Sequence, residues 1–183
     1  MSIIKKGLGA ILIAAVLTLA GCKNGGGFLA PKAPDLNKKF AFSAALTYGS
    51  ETISANFARE DIGKWTVEIT EPYQIQGVTF SIDGSSISAS FGGLTAESVF
   101  PSSFADSELS ALIRNVESAV QDTSGQVNYN EDSYTVAWPD LLLSFPNNSG
   151  APTAVEIPSL GIKGEISEFR VIGEITRGEV VIN

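Results

Sequence analysis

From Lys39 onward the chain alternates between apolar and polar residues. Phe40, Phe42, Ala44, Leu46 and Tyr48 fall on one side of an extended segment, with Ser43 and Thr47 on the other. Ile53, Ala55 and Phe57 repeat the pattern, as do Trp65, Val67 and Ile69, then Val78, Phe80 and Ile82, then Ile87, Ala89 and Phe91. A period of two, met five times in succession, predicts strands with one buried face. Gly49-Ser50, Asp61-Ile62-Gly63 and Asp83-Gly84 separate the runs. Asp83-Gly84 suits a type I′ hairpin, which needs positive φ at both central residues. Gly92-Gly93 marks a further turn or bulge. Links this short predict an antiparallel meander.

The period changes once. Leu109, Leu112, Ile113, Val116 and Val120 recur at steps of three and four, which predicts an amphipathic helix over residues 103–121. Ser102 or Ser103 suits its N-cap, and Gly125 lies past its end. Alternation then returns at Val127 and Tyr129, at Tyr134, Val136 and Trp138, and at Leu141, Leu143 and Phe145. It continues at Val155 and Ile157 and through residues 162–171. Near Ser167-Glu168-Phe169 the apolar phase slips by one residue, the signature of a bulge. The tail EITRGEVVIN suits a last edge strand. A sheet of nine or ten strands must curl, and one helix fills one concave face. The expected fold is therefore mostly antiparallel β with one long helix: a curved sheet or incomplete barrel with the helix packed inside it. The opposite sheet face, carrying Ser54, Asn56, Thr66, Glu68, Ser86, Ser88 and Ser90, should be solvated.

The N-terminal residues have a different character. Lys5 and Lys6 precede an apolar stretch of about eleven residues, the length of a signal-peptide core and short of the roughly 20 needed to span a bilayer. It ends in Leu19-Ala20-Gly21-Cys22, which resembles the bacterial lipobox. Cleavage between Gly21 and Cys22 would leave Cys22 as an acylated N-terminus, diacylglyceryl plus a fatty acid such as palmitate. Two or three chains anchor stably where one does not. Residues 1–21 are then a discarded signal, and 22–38, rich in Gly, Pro and Lys, a lipidated tether. Residues 39–183 form a single domain. The expected location is the extracytoplasmic face of the cell membrane. Cys22 is the only cysteine, so no disulfide forms within the chain.

Losing 21 of 183 residues leaves 162, and losing Lys5 and Lys6 with them moves the formal charge from −8 to −10. Such acidity argues against nucleic acid and against a polybasic membrane patch. The chain has no histidine. Ser-His and Cys-His nucleophile pairs, histidine bases and most zinc sites are thereby excluded. Glu60-Asp61 and Glu131-Asp132 fall in turns and are expected to be solvated charge. Asn128-x-Asn130-x-Asp132 has calcium-loop spacing, but Ser133 replaces the turn glycine and Pro139 the final glutamate. No metal, cofactor or enzymatic role is expected.

Residues 63–72, GKWTVEITEP, with Gly77-Val78-Thr79-Phe80 after them, resemble a strand pair of small clostridial-type lipoproteins in the lipoprotein-carrier superfamily (LolA, LolB and RseB types). Residues 149–156, SGAPTAVE, resemble that superfamily's turn-then-strand segment, and the strands–helix–strands order agrees over roughly residues 39–171. The resemblance implies a half-barrel enclosing a cavity for acyl chains or, in the RseB type, serving a regulatory ligand and a partner protein. Two departures stand out. The soluble carrier has no lipobox, so Cys22 implies a tethered member; and Asn147-Asn148 stands where the turn is often acidic. No catalytic residue carries over. The expected cavity lining is Trp65, Val67, Phe80, Leu112, Val116, Trp138, Leu143 and Phe145, around a lipid, acyl chain, lipopeptide or lipoprotein ligand. The alternative is a filled core, with an edge or acidic face, including Glu165, Glu168 and Glu174, binding an envelope protein. A monomer is expected in either case.

Overall fold

The structure, a computed structural model, describes residues 35–97, 107–122 and 124–174. The first meander comprises β1 (Lys38–Tyr48), β2 (Glu51–Asp61), β3 (Lys64–Glu71), β4 (Thr79–Asp83), β5 (Ser86–Phe91) and β6 (Leu94–Glu97). Helix α1 (Glu108–Gln121) follows. The second meander comprises β7 (Gln126–Tyr129), β8 (Ser133–Trp138), β9 (Leu141–Pro146), β10 (Ala154–Ile157) and β11 (Ile162–Glu174). All eleven strands form one open, curved, antiparallel sheet in the order β6-β5-β4-β3-β2-β1-β11-β10-β9-β8-β7. The central pair is thus β1 with β11, running from Lys38↔Glu174 to Tyr48↔Ile162. The edges are β6 and β7, and α1 lies between them in sequence. The expected fold class is the observed one.

The alternating positions face inward together. Phe40, Phe42, Ala44 and Leu46 of β1 are buried, as are Ala55 and Phe57 of β2, Trp65, Val67 and Ile69 of β3, and Val136, Leu143, Phe145 and Val155 across the second meander. Leu109, Leu112, Ile113 and Val116 of α1 complete this core. Their three- and four-residue spacing makes one stripe on a helix, which is buried by the only large apolar face the strands offer. On the outer face none of Ser54, Asn56, Thr66, Glu68, Ser86, Ser88 and Ser90 is buried. Ser43 Oγ donates to Asn56 (2.8 Å), Asn56 Nδ2 to Glu68 (3.3 Å) and Ser54 Oγ to Glu71 (3.0 Å), linking neighbouring strands.

The bulge lies where the phase slips. Pairing passes from Ser43↔Ser167 to Ala41↔Arg170, leaving one extra residue on β11. Glu168 has φ 53°, the only left-handed non-glycine backbone among the described residues. The slip turns Phe169 inward, where its ring stacks on Phe40 at 5.6 Å. A second slip, between Lys39↔Gly173 and Phe40↔Val171, bends the strand again.

Two expectations are corrected. The loop after β4 is Gly84-Ser85, since Asp83 pairs with Ser86, and only Gly84 has positive φ. The I′ signature instead falls at Gly92-Gly93, with φ of 57° and 83°, which turns the chain into β6, a strand too short to show alternation. The N-cap of α1 is Ser107, whose Oγ accepts from the Ser110 N–H at 3.2 Å. Pro101 suggested an earlier start, but the three-four period begins only at Leu109. Ser102 and Ser103 lie outside the described residues, as do the signal segment, Gly21, Cys22 and the tail beyond Glu174.

Candidate functional site

The place to look for a ligand is the seam between α1 and the concave sheet face. A gap of about 20 Å³ lies there, walled by Leu36, Phe40 and Phe42 at the start of the fold, Leu112 and Val116 of α1, Leu143, Pro152, Ile166 and Phe169. Every wall side chain is apolar. The space would take about one water molecule by size, and the wall offers that water no polar partner. The eight expected lining residues do not meet around one space. Leu112, Val116 and Leu143 border the gap. Trp65, Val67 and Phe145 are buried in solid packing, and Phe80 and Trp138 are half-buried at its margins. Two larger hollows, of about 510 and about 610 Å³, are open troughs on the outer face, floored by small residues such as Ser43, Ala45 and Ser88.

Beside the gap lies a polar cluster. Arg59 of β2, fully buried, donates from Nε to Glu117 Oε1 of α1 at 2.7 Å and from Nη2 to Oε2 at 3.1 Å. Its Nη1 donates to the main-chain carbonyls of Leu36 (3.3 Å) and Lys38 (3.1 Å). Glu117 Oε1 also accepts from Trp65 Nε1 at 2.8 Å and from the Gly63 N–H at 3.3 Å. The guanidinium carbon stands 5.9 Å from the centre of the Phe40 ring. Burial pushes the Glu117 carboxyl up. The hydrogen bonds from Arg59 and Trp65, the Arg59 charge and the Gly63 amide outweigh that and hold it below its ordinary value. No buried side-chain nitrogen or oxygen among the described residues lacks a partner, the condition under which a buried ion pair is tolerated. The cluster carries no open position for a reacting atom; its role is to fasten α1 and the residues before β1 to the sheet. Leu36 and Lys38, assigned by composition to the tether, therefore belong to the fold.

Sequence reasoning missed this cluster, although a signal was present. Arg59 falls in phase with Ile53, Ala55 and Phe57, so the alternation itself places a charge on the inward face. Glu117 follows Val116 at the border of the helix stripe. The partner of each comes from an element dozens of residues away, which spacing alone does not reveal.

The calcium-like spacing is otherwise occupied. Asn147 Nδ2 donates to the carbonyls of Asn130 (3.3 Å) and Glu131 (2.6 Å), and the Asn147 N–H donates to Asp132 O at 3.1 Å. The main chain of this turn is thus tied to Asn147. Glu60 and Asp61, expected in a turn, are instead the last residues of β2: Glu60 accepts from Thr66 Oγ1 of β3 and Asp61 from the Ile62 N–H, each at 2.8 Å.

No family model matches the sequence, and no curated protein does. Solved structures of similar shape include a LolA superfamily protein from Nitrosomonas europaea, 11% identical, TM-score 0.36, with 78% of this chain and 90% of that one covered. An uncharacterised conserved protein from Thermus thermophilus is 8% identical, TM-score 0.43, over 76% and 82% of the two chains. A DUF1329 family protein from Desulfovibrio piger is 12% identical, TM-score 0.42, over 81% and 89%. Likeness this slight says nothing about ligand, partner or activity, and the functional reading rests on the seam itself.

Proposed function

We propose that this chain is a membrane-tethered lipoprotein with a non-catalytic role, holding a hydrophobic ligand (a lipid, acyl chain or lipopeptide) between α1 and the sheet. The observation that carries the reading is the wholly apolar wall of the seam gap. The gap is far smaller than an acyl chain, so a ligand enters by displacing wall side chains. An alkyl chain that takes their place exchanges one apolar contact for another, and little burial free energy is lost. The polar fastening at Glu117 lies beside the gap, and α1 could stay hinged there while the wall yields. Acylation at Cys22 would hold the site within a short tether of the outer face of the cell membrane. Residues 34–183, expressed without Cys22, should carry a lipid adduct in native mass spectrometry that organic extraction removes. An empty protein that also fails to bind an apolar dye would overturn the reading. Metabolic palmitate labelling lost on Cys22→Ser tests the anchor separately.

One observation favours a second reading: with a gap of only about 20 Å³, the seam is nearly filled. In that case the chain is an interaction or sensor protein whose acidic β11 face meets an envelope partner. Crosslinking in native membranes would then recover one stoichiometric protein. Charge reversal at Glu165, Glu168 and Glu174, all exposed, would abolish its recovery.

A further inference from the structure

The wall of the seam gap is not uniformly pinned. Most of its side chains come from strands or from α1, whose backbones are locked into ladders and helical turns. Leu36 precedes all of these. Pairing of β1 with β11 begins at Lys38↔Glu174, and with β2 at Phe40↔Arg59. Upstream, the Asn37 N–H donates to the Asp35 carboxylate two residues away, at 3.0 Å. Residues 35–37 are held to the rest of the fold by the buried Leu36 side chain and by the bond from Arg59 Nη1 to the Leu36 carbonyl, whereas Lys38, whose carbonyl Nη1 also reaches, is already the first rung of β1. Leu36 also lines the gap, against the same α1 side chains. It is a four-carbon alkyl group already seated in the apolar seam.

Resting on the hydrophobic-ligand reading, we infer that residues 35–37 are a strap whose Leu36 side chain acts as a built-in competitor for the seam. Ligand entry and strap release are then one event. Withdrawal of Leu36 enlarges the gap without breaking a rung of the sheet. It also takes the Leu36 carbonyl from Arg59 Nη1, which keeps that of Lys38 and can bond a further acceptor in the vacated place. The other two Arg59 groups stay on Glu117, so α1 keeps its fastening while the strap leaves. The ligand that satisfies both vacated positions is an amphiphile: an alkyl chain for the Leu36 seat and a head bearing a carboxylate or carbonyl oxygen for Nη1. The strap leads directly into the segment that ends at Cys22. The anchor and the binding seam are thus joined through three side chains, Leu36, Arg59 and Glu117.

The test is titration of the full chain carrying Cys22→Ser with the fluorescent fatty acid cis-parinaric acid. Leu36→Ala, which weakens the competitor, should bind about tenfold tighter than the parent, since most of the burial of one leucine no longer opposes the ligand. Leu36→Phe, which strengthens it, should bind about tenfold more weakly. The opposed directions separate the strap from general loosening, because a merely destabilised fold would shift both variants the same way. Equal affinity in the parent and both variants, or a shift in one common direction, overturns the strap and leaves the hydrophobic-ligand reading standing. Binding by none of the three overturns that reading, and the strap with it.

Discussion

On the β1–β3 side of the sheet, α1 is fastened by charge. Glu117 receives two bonds from a fully buried Arg59, one from Trp65 and one from the Gly63 amide. On the β8–β9 side the packing is dry. Tyr134 and Phe145 stack with centroids 4.8 Å apart and planes 8° off parallel, and Val136 and Leu143 are buried beside them. The polar link there is Trp138 Nε1 donating to the carbonyl of Asp122, the C-cap of α1, at 2.9 Å. A charged fastening has one geometry, and loss of any member leaves a buried group without its partner. Apolar contacts have many near-equivalent arrangements. The charged side fixes where α1 sits, and the dry side lets its surroundings rearrange.

The largest effects should come from removing one key group on each side. Glu117→Ala leaves Arg59 buried without its carboxylate and should cost about 3–5 kcal/mol in urea unfolding, nearer the lower figure because water reaches part of Glu117. Phe145→Ala should cost a similar 3–5 kcal/mol by opening a cavity. Acid separates the two causes. The Glu117 carboxyl is held below its ordinary value of 4.5 in the fold. Its stabilisation is present above that value and is lost as pH falls through the lower folded-state value. The parent and Phe145→Ala should both lose stability in this acid range, while Glu117→Gln lacks that component. Parallel stability–pH curves for the parent and Glu117→Gln would show that the fastening is not one of charge.

A smaller effect probes the join between the halves. Gly164 of β11 faces the core, where an added Cβ would stand 2.6 Å from Leu46 Cδ2 and 2.9 Å from Val155 Cγ1. Gly164→Ala should therefore cost about 1–3 kcal/mol through overpacking. Leu46 belongs to the first meander and Val155 to the second. Pairing this change with Leu46→Val should recover more stability if the strain is carried on the β1 side. Pairing with Val155→Ala should recover more if it is carried on the β10 side.

The fold was legible where a local period carried it. Alternation marked ten of the strands, the three-four period marked α1, and the slip at Ser167-Glu168-Phe169 marked the bulge, because each pattern is set by residues adjacent in sequence. β6 was not legible: four residues are too few to show a period, and its cue, Gly92-Gly93, is a turn signal with one strand missing. The β1–β11 pairing was equally hidden, since register between segments more than a hundred residues apart leaves no local trace. The same limit explains the candidate site. Leu112, Val116 and Leu143 were found from their apolar phase. Arg59 puts a charge in the inward phase of its strand and Glu117 one at the border of the helix stripe, and only the folded chain shows that the two exceptions answer each other. Leu36 looked like tether because it lies in a segment, 22–38, rich in Gly, Pro and Lys, and a single leucine carries no periodicity.

The smallest effect concerns the buried phenol on the dry side. Tyr134 is fully buried, and its hydroxyl donates to the carbonyl of Ser149 at 3.3 Å, a long bond for an O–H donor. Burial and the neighbouring Tyr129 raise its pKa, so it remains a neutral donor throughout the working range. Tyr134→Phe keeps the ring stacked on Phe145 and removes only that bond, leaving a loop carbonyl that water can reach. The expected cost is about 0.5 kcal/mol, the low end for a neutral hydrogen bond, with no change in the acid dependence. If this half of the molecule is held by packing, Tyr134→Phe and Tyr134→Leu should differ widely, since only the second loses the stack. If instead the two cost the same in urea unfolding, the hydroxyl would be the part that matters. The supposed dry side would then be fastened by a polar contact as well, and the contrast between the two halves would disappear.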